Sequence, residues 1–197
     1  MGNLKSVSKA LEHVAPKDRV VVTADPDAIH SADRVVVPGQ GAMPDCMRQL
    51  AASGARHAVI DAAGRKPFLG LCIGLQMLFE RAEEGDTACL GILPGSVPRF
   101  AGEAMRGLKI PQKGWNRVRQ VRRHALWNGI VDNSRFYFVH SYYVRPSDAS
   151  VAAGTCDYGL PFTCAIARDN IFAVQFHPEK SDSAGLQLLS NFVNWRP

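Results

Sequence analysis

The chain has 197 residues and a formal net charge of +5 at pH 7. This length is sufficient for one domain with a substantial core, so we expect residues 1–197 to form a single domain. The modest charge and the lack of a nucleic-acid-binding motif argue against nucleic acid as a partner.

The cysteines indicate a reducing compartment. There are five of them, an odd number at irregular spacings that match neither a disulfide framework nor a metal site. No apolar run approaches the ~20 residues that cross a membrane. We therefore expect a cytoplasmic protein without a membrane segment, a metal ion or a cofactor.

Apolar periodicity predicts short strands that alternate with helices. The predicted elements, in order, are a helix over 4–14, strands over 19–23 and 34–37, a helix over 44–50, a strand over 68–71, a helix over 75–84, a strand-rich stretch over 97–175 and a helix over 184–195. Asp169 and Asn170 predict a turn between strands over 162–167 and 171–175. This order favours an α/β fold with a mostly parallel central sheet, helices on both faces and ligands beyond the carboxyl ends of the strands.

A cysteine stands where the strand over 68–71 turns into the next helix, in FLGLCIGLQMLFE. Gly70 and Gly74 flank Cys72, which gives the G-x-nucleophile-x-G pattern of a strained elbow with cysteine in place of serine. The following helix favours the thiolate, and its Ile73 amide is placed to donate to an oxyanion. The alternative is a small buried cysteine in a tight packing site.

The partners for a cysteine nucleophile lie far downstream, in FAVQFHPEK. His177 and Glu179 follow an apolar strand directly, and the imidazole of such a pair accepts and returns the proton while the carboxylate orients it. We predict a catalytic triad of Cys72, His177 and Glu179. The alternative for the last two is a surface strand end with incidental charges.

A third segment, VVVPGQGA, runs from a β-branched strand into glycines at alternate positions. Such a segment allows a peptide to turn its N–H outward. We expect the peptide between Gln40 and Gly41 to supply a second oxyanion donor opposite Cys72. By itself the segment is also compatible with an ordinary turn.

Together these three segments resemble class I (triad) glutamine amidotransferases. More narrowly, KIPQKGWN at 109–116, FYFVHSYY at 136–143 and FHPEKSDSAGLQLLSNFVNW near the end resemble the glutaminase subunits of imidazole glycerol phosphate synthase. The resemblance implies a flavodoxin-like three-layer sandwich and hydrolysis of glutamine through a cysteine thioester. It also implies glutamine-binding residues, which match Gly41, Gln76, Glu84, His140, Ser141 and Tyr142. Without it, Gln76 and Glu84 would be read as a pair on one exposed helix face, and His140 as an ordinary strand histidine.

The resemblance implies a partner as well. A cyclase subunit with a (β/α)₈ barrel would form a heterodimer with this chain and use its ammonia to make imidazole glycerol phosphate and an aminoimidazole carboxamide ribonucleotide. Family interface positions match Asn3, Trp115 and Lys180, although a core tryptophan is an equally good interpretation of Trp115. The chain departs from the commonest family pattern at Gln112 and Lys113.

Other interpretations stay open at this point. A glutaminase of anthranilate or pyridoxal phosphate synthesis would keep the triad and serve another acceptor, whereas a non-catalytic relic of the fold would have lost a triad residue. Family members also open with an apolar strand before the first helix. We therefore expect the natural protein to carry roughly ten more residues, the length of one strand and its turn, before Met1. The alternative is a genuinely shortened domain whose sheet edge is covered by another segment or by the partner.

Overall fold

A computed structural model of the protein describes residues 2–39 and 41–197, without the side chains of Gly2 and Asn3. In the described residues the helices are α1 Gly2–Val14, α2 Pro26–Ser31, α3 Met43–Ala52, α4 Arg56–Arg65, α5 Ile73–Gln76 and α6 Asp182–Asn194. The strands are β1 Val35–Gly39, β2 Phe68–Cys72, β3 Arg81–Ala82, β4 Thr87–Ala88, β5 Gly95–Val97, β6 Gln112–Arg117, β7 Arg119–Gln120, β8 Arg135–His140, β9 Arg145–Pro146, β10 Ala152–Tyr158, β11 Leu160–Arg168 and β12 Ile171–Val174.

The central sheet has the strand order β1-β2-β12-β11-β10-β7. Strands β1, β2 and β12 are parallel, and the remaining strands continue the sheet antiparallel. The sheet is therefore mixed rather than mostly parallel, because the second half of the chain adds hairpins instead of crossovers. The register places Gly39 beside Cys72 and Val174 beside Leu71. The carboxyl ends of the three parallel strands consequently meet at one edge, as expected.

Alternate residues of the central strands face two separate hydrophobic clusters. Leu69 and Leu71 of β2 pack in the cluster that contains residues of α1 and α6, whereas Phe68 and Cys72 pack in the cluster that contains residues of α2, α3 and α4. Because strand side chains alternate between faces, one buried strand serves both layers. This arrangement confirms the predicted helices on both faces of the sheet.

Residues 81–146 also form two small sheets beside the central one. A four-stranded sheet has the order β4-β3-β5-β9, and β6 pairs with β8 as an antiparallel two-stranded sheet. In β6 the burial alternates, with Gln112 buried and Lys113 and Trp115 exposed. The pair β6–β8 therefore has one inner and one outer face.

The predicted strand over 19–23 is wrong. These residues belong to no strand, and the side chains of Val21 and Val22 are 53% and 59% exposed. A β-branched run needs a neighbouring strand to complete its hydrogen bonds, and no described strand lies beside it. Strand β1 likewise pairs with β2 alone among the described strands. The expectation of a further N-terminal strand stays a prediction.

The predicted helix over 75–84 is also wrong beyond its first residues. Helix α5 ends at Gln76, and the chain then enters β3 and a 3₁₀ turn over Glu84–Asp86. The carbonyl of Leu78 accepts hydrogen bonds from the amides of Ile92 and Leu93, so it is not available to a longer helix. Tertiary pairing with the 91–93 segment therefore overrides the apolar periodicity.

Most other predicted elements are confirmed within a few residues. Helix α1, helix α3, strand β2 and helix α6 lie where they were expected, and Asp169 and Asn170 join β11 to β12 in an antiparallel pair. Helices α2 and α4 were not predicted. In the part of the chain that the structure describes, no helix is both long and apolar enough to span a membrane.

Candidate active site

Cys72 lies at the junction of β2 and α5 in a strained conformation. Its φ of 56° and ψ of −109° are unusual for a residue other than glycine, and its side chain is 5% exposed. Strain of this kind costs about 1–3 kcal/mol and persists where the surroundings enforce it. The predicted nucleophile elbow is therefore present in the backbone geometry.

Close packing of glycines enforces this elbow. A Cβ atom added to Gly74 would lie 1.9 Å from the Val37 carbonyl oxygen, and one added to Gly39 would lie 2.3 Å from Ile73 Cβ. Strand β1 therefore touches the backbone of the helix that carries Ile73. Only glycine permits that approach, which explains the glycine after the nucleophile in physical terms.

His177 and Glu179 lie beside Cys72, at the end of the neighbouring strand β12. The Nδ1 atom of His177 is 2.9 Å from Glu179 Oε1, with both side chains buried, and the Cys72 side chain lies close enough to raise the pKa of the imidazole. The His177 backbone is held on both sides, because its amide donates to Tyr137 O and its carbonyl accepts from Ser181 Oγ. The three predicted triad side chains are thus brought together.

The charges of the triad favour a protonated imidazole. Burial by itself lowers the pKa of His177, but the hydrogen bonds and charges of Cys72 and Glu179 outweigh burial and raise the pKa to about 9. The imidazolium is the form that donates a proton to a leaving amine. The second oxygen of Glu179 is buried and has no hydrogen-bond partner among the described residues, so His177 is the group that compensates this carboxylate.

The oxyanion donors are described in part. Ile73 is the first residue of α5, where a backbone N–H has no partner inside the helix. Gly41 has a φ of 104° and is exposed. A Cβ atom added to it would have no atom of the described residues within 4 Å. Gln40 lies outside the described residues, so its part in the oxyanion site stays a prediction.

The residues matched to glutamine binding lie on several elements. Gln76 is buried, and its Nε2 donates to Tyr142 O at 3.0 Å, while His140 Nδ1 lies 2.7 Å from the same oxygen. Ser141 precedes Tyr142 in the loop after β8, and its carbonyl accepts from the Phe100 amide. Gln76, His140 and Tyr142 therefore form one polar group next to the elbow.

Glu84 does not lie on a helix face with Gln76, because α5 ends before it. Its Oε2 accepts a hydrogen bond of 2.8 Å from the amide of Met43, the first residue of α3 and two residues after Gly41. A carboxylate at a helix N-terminus is favourable. Glu84 therefore lies against the segment that was expected to supply an oxyanion donor.

His140 is not an ordinary strand histidine. Burial lowers its pKa to about 4, the hydrogen bond to the Tyr142 carbonyl raises the pKa by less than that, and the charge of His177 lowers it further, so the ring is neutral at pH 7. Its Nε2 lies 3.0 Å from Gln112 Oε1. The two ring nitrogens thus lie against two buried oxygens, and because a neutral imidazole carries one N–H, the ring donates to one of them at a time.

The residues matched to the family interface are Trp115, Lys180 and Asn3, and two of them have described side chains. Trp115 is 50% exposed and packs edge-on against Tyr137 with ring centroids 6.1 Å apart, so its interpretation as a core residue is wrong. Lys180 is exposed and directly follows Glu179. Asn3 lies in α1, with its side chain outside the described part of the chain.

Sequence reasoning missed Gln175. This residue is completely buried between β12 and His177, and its Nε2 donates to Cys72 Sγ at 3.7 Å. The sequence did contain an indication of its role. Gln175 is a single carboxamide directly after the four apolar residues IFAV at 171–174, in a strand that ends beside the nucleophile. A polar side chain in such a position is costly without a partner.

Comparison with known proteins agrees with this class of site. Residues 3–195 match the family model for glutamine amidotransferase class-I. A crystal structure of a glutamine amidotransferase superposes with a TM-score of 0.72 at 16% identity, covering 98% of this chain and 95% of that one. The glutaminase domain of Trypanosoma brucei CTPS gives a TM-score of 0.65 at 16% identity, covering 98% and 89%. These two likenesses concern the fold alone.

Curated relatives are much more similar in sequence. Imidazole glycerol phosphate synthase subunit HisH of Dechloromonas aromatica is 62% identical over 202 aligned residues, covering 100% of this chain and 94% of the relative. The subunit of the same name from Thiobacillus denitrificans is 63% identical, covering 100% and 89%. The chain therefore belongs to the class-I glutamine amidotransferase family, in the branch formed by these HisH subunits.

Proposed function

We propose that the protein is the glutaminase subunit of an imidazole glycerol phosphate synthase. It hydrolyses glutamine to glutamate and ammonia, and the ammonia is used in histidine biosynthesis. The names and identities of the relatives support the pathway. The observation that carries the chemistry is the buried contact of Cys72, His177 and Glu179 at the carboxyl ends of parallel strands.

The first half of the reaction forms a thioester. The Cys72 sulfur attacks the side-chain carboxamide carbon of glutamine, and the C–O double bond opens to an oxyanion. His177, whose raised pKa keeps it protonated, gives its proton to the amide nitrogen. The C–N bond then breaks and ammonia leaves, while Glu179 stabilises the charged imidazole until the proton is transferred.

The second half restores the enzyme. The neutral imidazole of His177 accepts a proton from water as the water oxygen attacks the thioester carbon. The tetrahedral intermediate collapses, the C–S bond breaks, and glutamate leaves with the oxygen that water supplied. The Cys72 sulfur is again paired with a protonated His177, so the cycle starts from the same charges.

Two backbone amides hold the oxyanion in both halves. One is the Ile73 amide at the start of α5, and the other belongs to the peptide between Gln40 and Gly41. The register of Gly39 beside Cys72 supports this assignment, since it directs the following residues past the elbow. Removal of one such donor typically lowers the rate about a hundredfold or more.

The substrate pocket lies between the elbow and the loop after β8. We assign glutamine binding to Gly41, Gln76, Glu84, His140, Ser141 and Tyr142. The buried contact of Gln76 with Tyr142 O supports the pocket wall. The Nε2 of Gln76 uses its two hydrogens on Tyr142 O and Gln175 Oε1, which leaves the Gln76 carbonyl oxygen to accept from a ligand.

Ammonia must pass to a second subunit, because free ammonia is mostly protonated at neutral pH. We assign the partner as a cyclase with a (β/α)₈ barrel that docks on the outer face of β6 and β8, near Asn3 and Lys180. On that face Trp115 opposes Tyr137, whose carbonyl accepts the His177 amide. A large exposed aromatic beside a catalytic loop is a suitable anchor for a partner.

The experiment measures glutamate release by the chain alone, with a cyclase subunit, and with the cyclase and its nucleotide ligand. We expect low activity alone and a strong rise in the loaded complex. Equal activity in all three samples would contradict regulation by the partner. In parallel, Trp115→Ala should weaken assembly at least tenfold, whereas Arg65→Ala, at the opposite end of the parallel strands, should leave the Kd unchanged.

A further inference from the structure

The buried polar side chains of the described residues are concentrated around the elbow. They are Gln76, Gln112, His140, Gln175, His177 and Ser181. His177 and Ser181 belong to the catalytic loop. The other four side chains, joined through the Tyr142 backbone carbonyl between His140 and Gln76, form a continuous row of hydrogen bonds that reaches the Cys72 sulfur. Buried amides are costly unless they are satisfied, so a row of this kind demands an explanation.

Gln175 is the member of the row that touches the nucleophile. Its side chain is 0% exposed, its Nε2 donates to Cys72 Sγ at 3.7 Å, and its Oε1 accepts from Gln76 Nε2 at 2.9 Å. Its backbone amide donates to Cys164 O at 2.8 Å, which fixes the start of the side chain. Every polar group of this carboxamide therefore has a defined role.

We propose that Gln175 is a positioning residue that holds the Cys72 sulfur as a thiolate turned toward His177. The inference rests on the proposed function, because it takes Cys72 as the nucleophile. An N–H donor stabilises the charged form of sulfur more than the neutral thiol, since charge-assisted hydrogen bonds are about twice as strong as neutral ones.

The direction of the amide is fixed by the row behind it. The carbonyl of Tyr142 accepts hydrogen bonds and donates none, so the NH₂ end of Gln76 must face it. The same nitrogen donates to Gln175, which requires the oxygen end of the Gln175 amide. The NH₂ end of Gln175 is then left for the sulfur. A reversed amide would place two NH₂ groups against each other.

Within the part of the chain that the structure describes, few titratable groups lie near the sulfur. The charge of Cys72 acts on His177, and Glu179 is hydrogen-bonded to the other side of the His177 ring. His140 lies further along the row and is neutral at pH 7, because burial lowers its pKa to about 4. Loss of the Gln175 donor is therefore expected to act on the pair of Cys72 and His177 alone.

The test is the pH profile of Cys72 alkylation in the full chain with iodoacetamide, read by peptide mass spectrometry. This readout requires no glutamine. In Gln175→Met, which keeps the length and removes the donor, we expect the midpoint of the Cys72 profile to rise by about one pH unit. Below the midpoint the rate should fall about tenfold. A lower melting temperature with an unchanged midpoint would reduce Gln175 to a packing residue and overturn the proposal.

Controls come from the same digest and from one matched variant. Cys46, which lies on α3 and is partly exposed, should alkylate with an unchanged profile in every variant. Gln187→Met removes an exposed carboxamide on α6 and should leave the Cys72 profile as in the wild type. A shift in either control would indicate a global change and count against the assignment to Gln175.

A second variant keeps the proposal testable if Gln175→Met does not fold. Gln76→Met leaves Gln175 in place but removes the donor that fixes its orientation, so we expect a smaller rise of the Cys72 midpoint. No rise in that variant would contradict the row. A failure of the proposed function would be seen in a different measurement. In that case Cys72→Ala would retain glutamine hydrolysis, whatever the alkylation profiles show.

Discussion

Strands β1 and β2 end side by side, with Gly39 paired to Cys72, yet the segments that follow them differ in packing. After β2 the backbone turns into α5 with no free space, since a Cβ at Gly74 would lie 1.9 Å from Val37 O. After β1 the chain reaches Gly41, whose α-carbon has no neighbour within 4 Å on the side where a Cβ would lie. The end of β2 at Cys72 is therefore tightly packed, and we call it the fixed end. The segment after β1, at Gly41, borders open space, and we call it the open end.

The difference assigns separate tasks to the two strand ends. The elbow must keep the sulfur within reach of His177 in every state, so its conformation is enforced by packing and by the Gln175 contact. An oxyanion donor is required only when substrate is bound, and a glycine in open space can reorient at little cost. The two strand ends should therefore respond differently to substitution.

The largest expected effect tests the fixed end. Cys72→Ala removes the nucleophile and should lower glutamine hydrolysis by at least about a thousandfold, as for other triad nucleophiles. The assembled complex should still form product from ammonium salts, because the acceptor subunit is unchanged. Glutamate release and ammonia-dependent turnover are measured separately. Cys46→Ala is the matched control, and wild-type hydrolysis by Cys72→Ala would disprove the triad.

The open end is tested by Gly41→Ala. Its φ of 104° is unfavourable for alanine, but no atom of the described residues opposes the added methyl group, so the cost in stability should be about 1 kcal/mol. The peptide before it should turn, which displaces the oxyanion donor and lowers kcat about a hundredfold. Steady-state kinetics of glutamate release provide the measurement.

A matched glycine separates strain from catalysis. Gly107 has a φ of 79° in equally open space, in the loop before β6. Gly107→Ala should cause a similar loss of stability and leave kcat unchanged. If both variants lost activity equally, or if Gly41→Ala kept its full rate, the distinction between the two strand ends would fail.

The sequence was sufficient for the fixed end of the site and insufficient for the rest. The elbow, the triad and the turn at Asp169 and Asn170 depend on local patterns, because glycines, a nucleophile and a strand end lie within a few residues of one another. The end of α5 was not predictable in this way. It depends on the amides of Ile92 and Leu93, which reach the Leu78 carbonyl from another part of the chain.

The role of Gln175 also depends on long-range contacts that the sequence pattern does not predict. Its residue type was visible, but its role depends on Gln76 and Tyr142, which are 99 and 33 positions away in the chain (175 − 76 and 175 − 142). The strand predicted over 19–23 failed because β-propensity does not specify a neighbour. Local patterns thus predict where a backbone bends, whereas long-range pairing determines which buried polar groups meet.

Gly74→Ala measures how tightly the elbow is held. The added methyl group would collide with the Val37 carbonyl, which is backbone and cannot rotate away, so we expect a loss of about 1–3 kcal/mol or more. For a chain of this size the melting temperature should fall by about 3–10 °C. Gly64→Ala on α4 is the control, since its methyl group meets no atom within 4 Å. Equal melting temperatures for the two variants would show that the elbow is not tightly packed.

The smallest effect concerns the buried row behind the elbow and appears as a dependence on pH. Burial lowers the pKa of His140 to about 4, so between pH 6.5 and 4 the unfolded chain binds a proton at this residue that the folded chain does not. Stability should therefore rise with pH across this range and fall on acidification, by on the order of 2 kcal/mol from His140. His140→Gln keeps a donor for Tyr142 O. It should remove the His140 contribution to the slope of the unfolding free energy against pH, measured by urea unfolding at pH 4, 5, 6 and 7.

Burial and the charge of Arg122 lower the pKa of His124 to about 4 as well, so a reduced slope should remain in the His140→Gln variant. His13→Gln, an exposed change on α1, should keep the wild-type slope. An identical slope in His140→Gln would mean that the row admits water and is not held as firmly as the elbow in front of it.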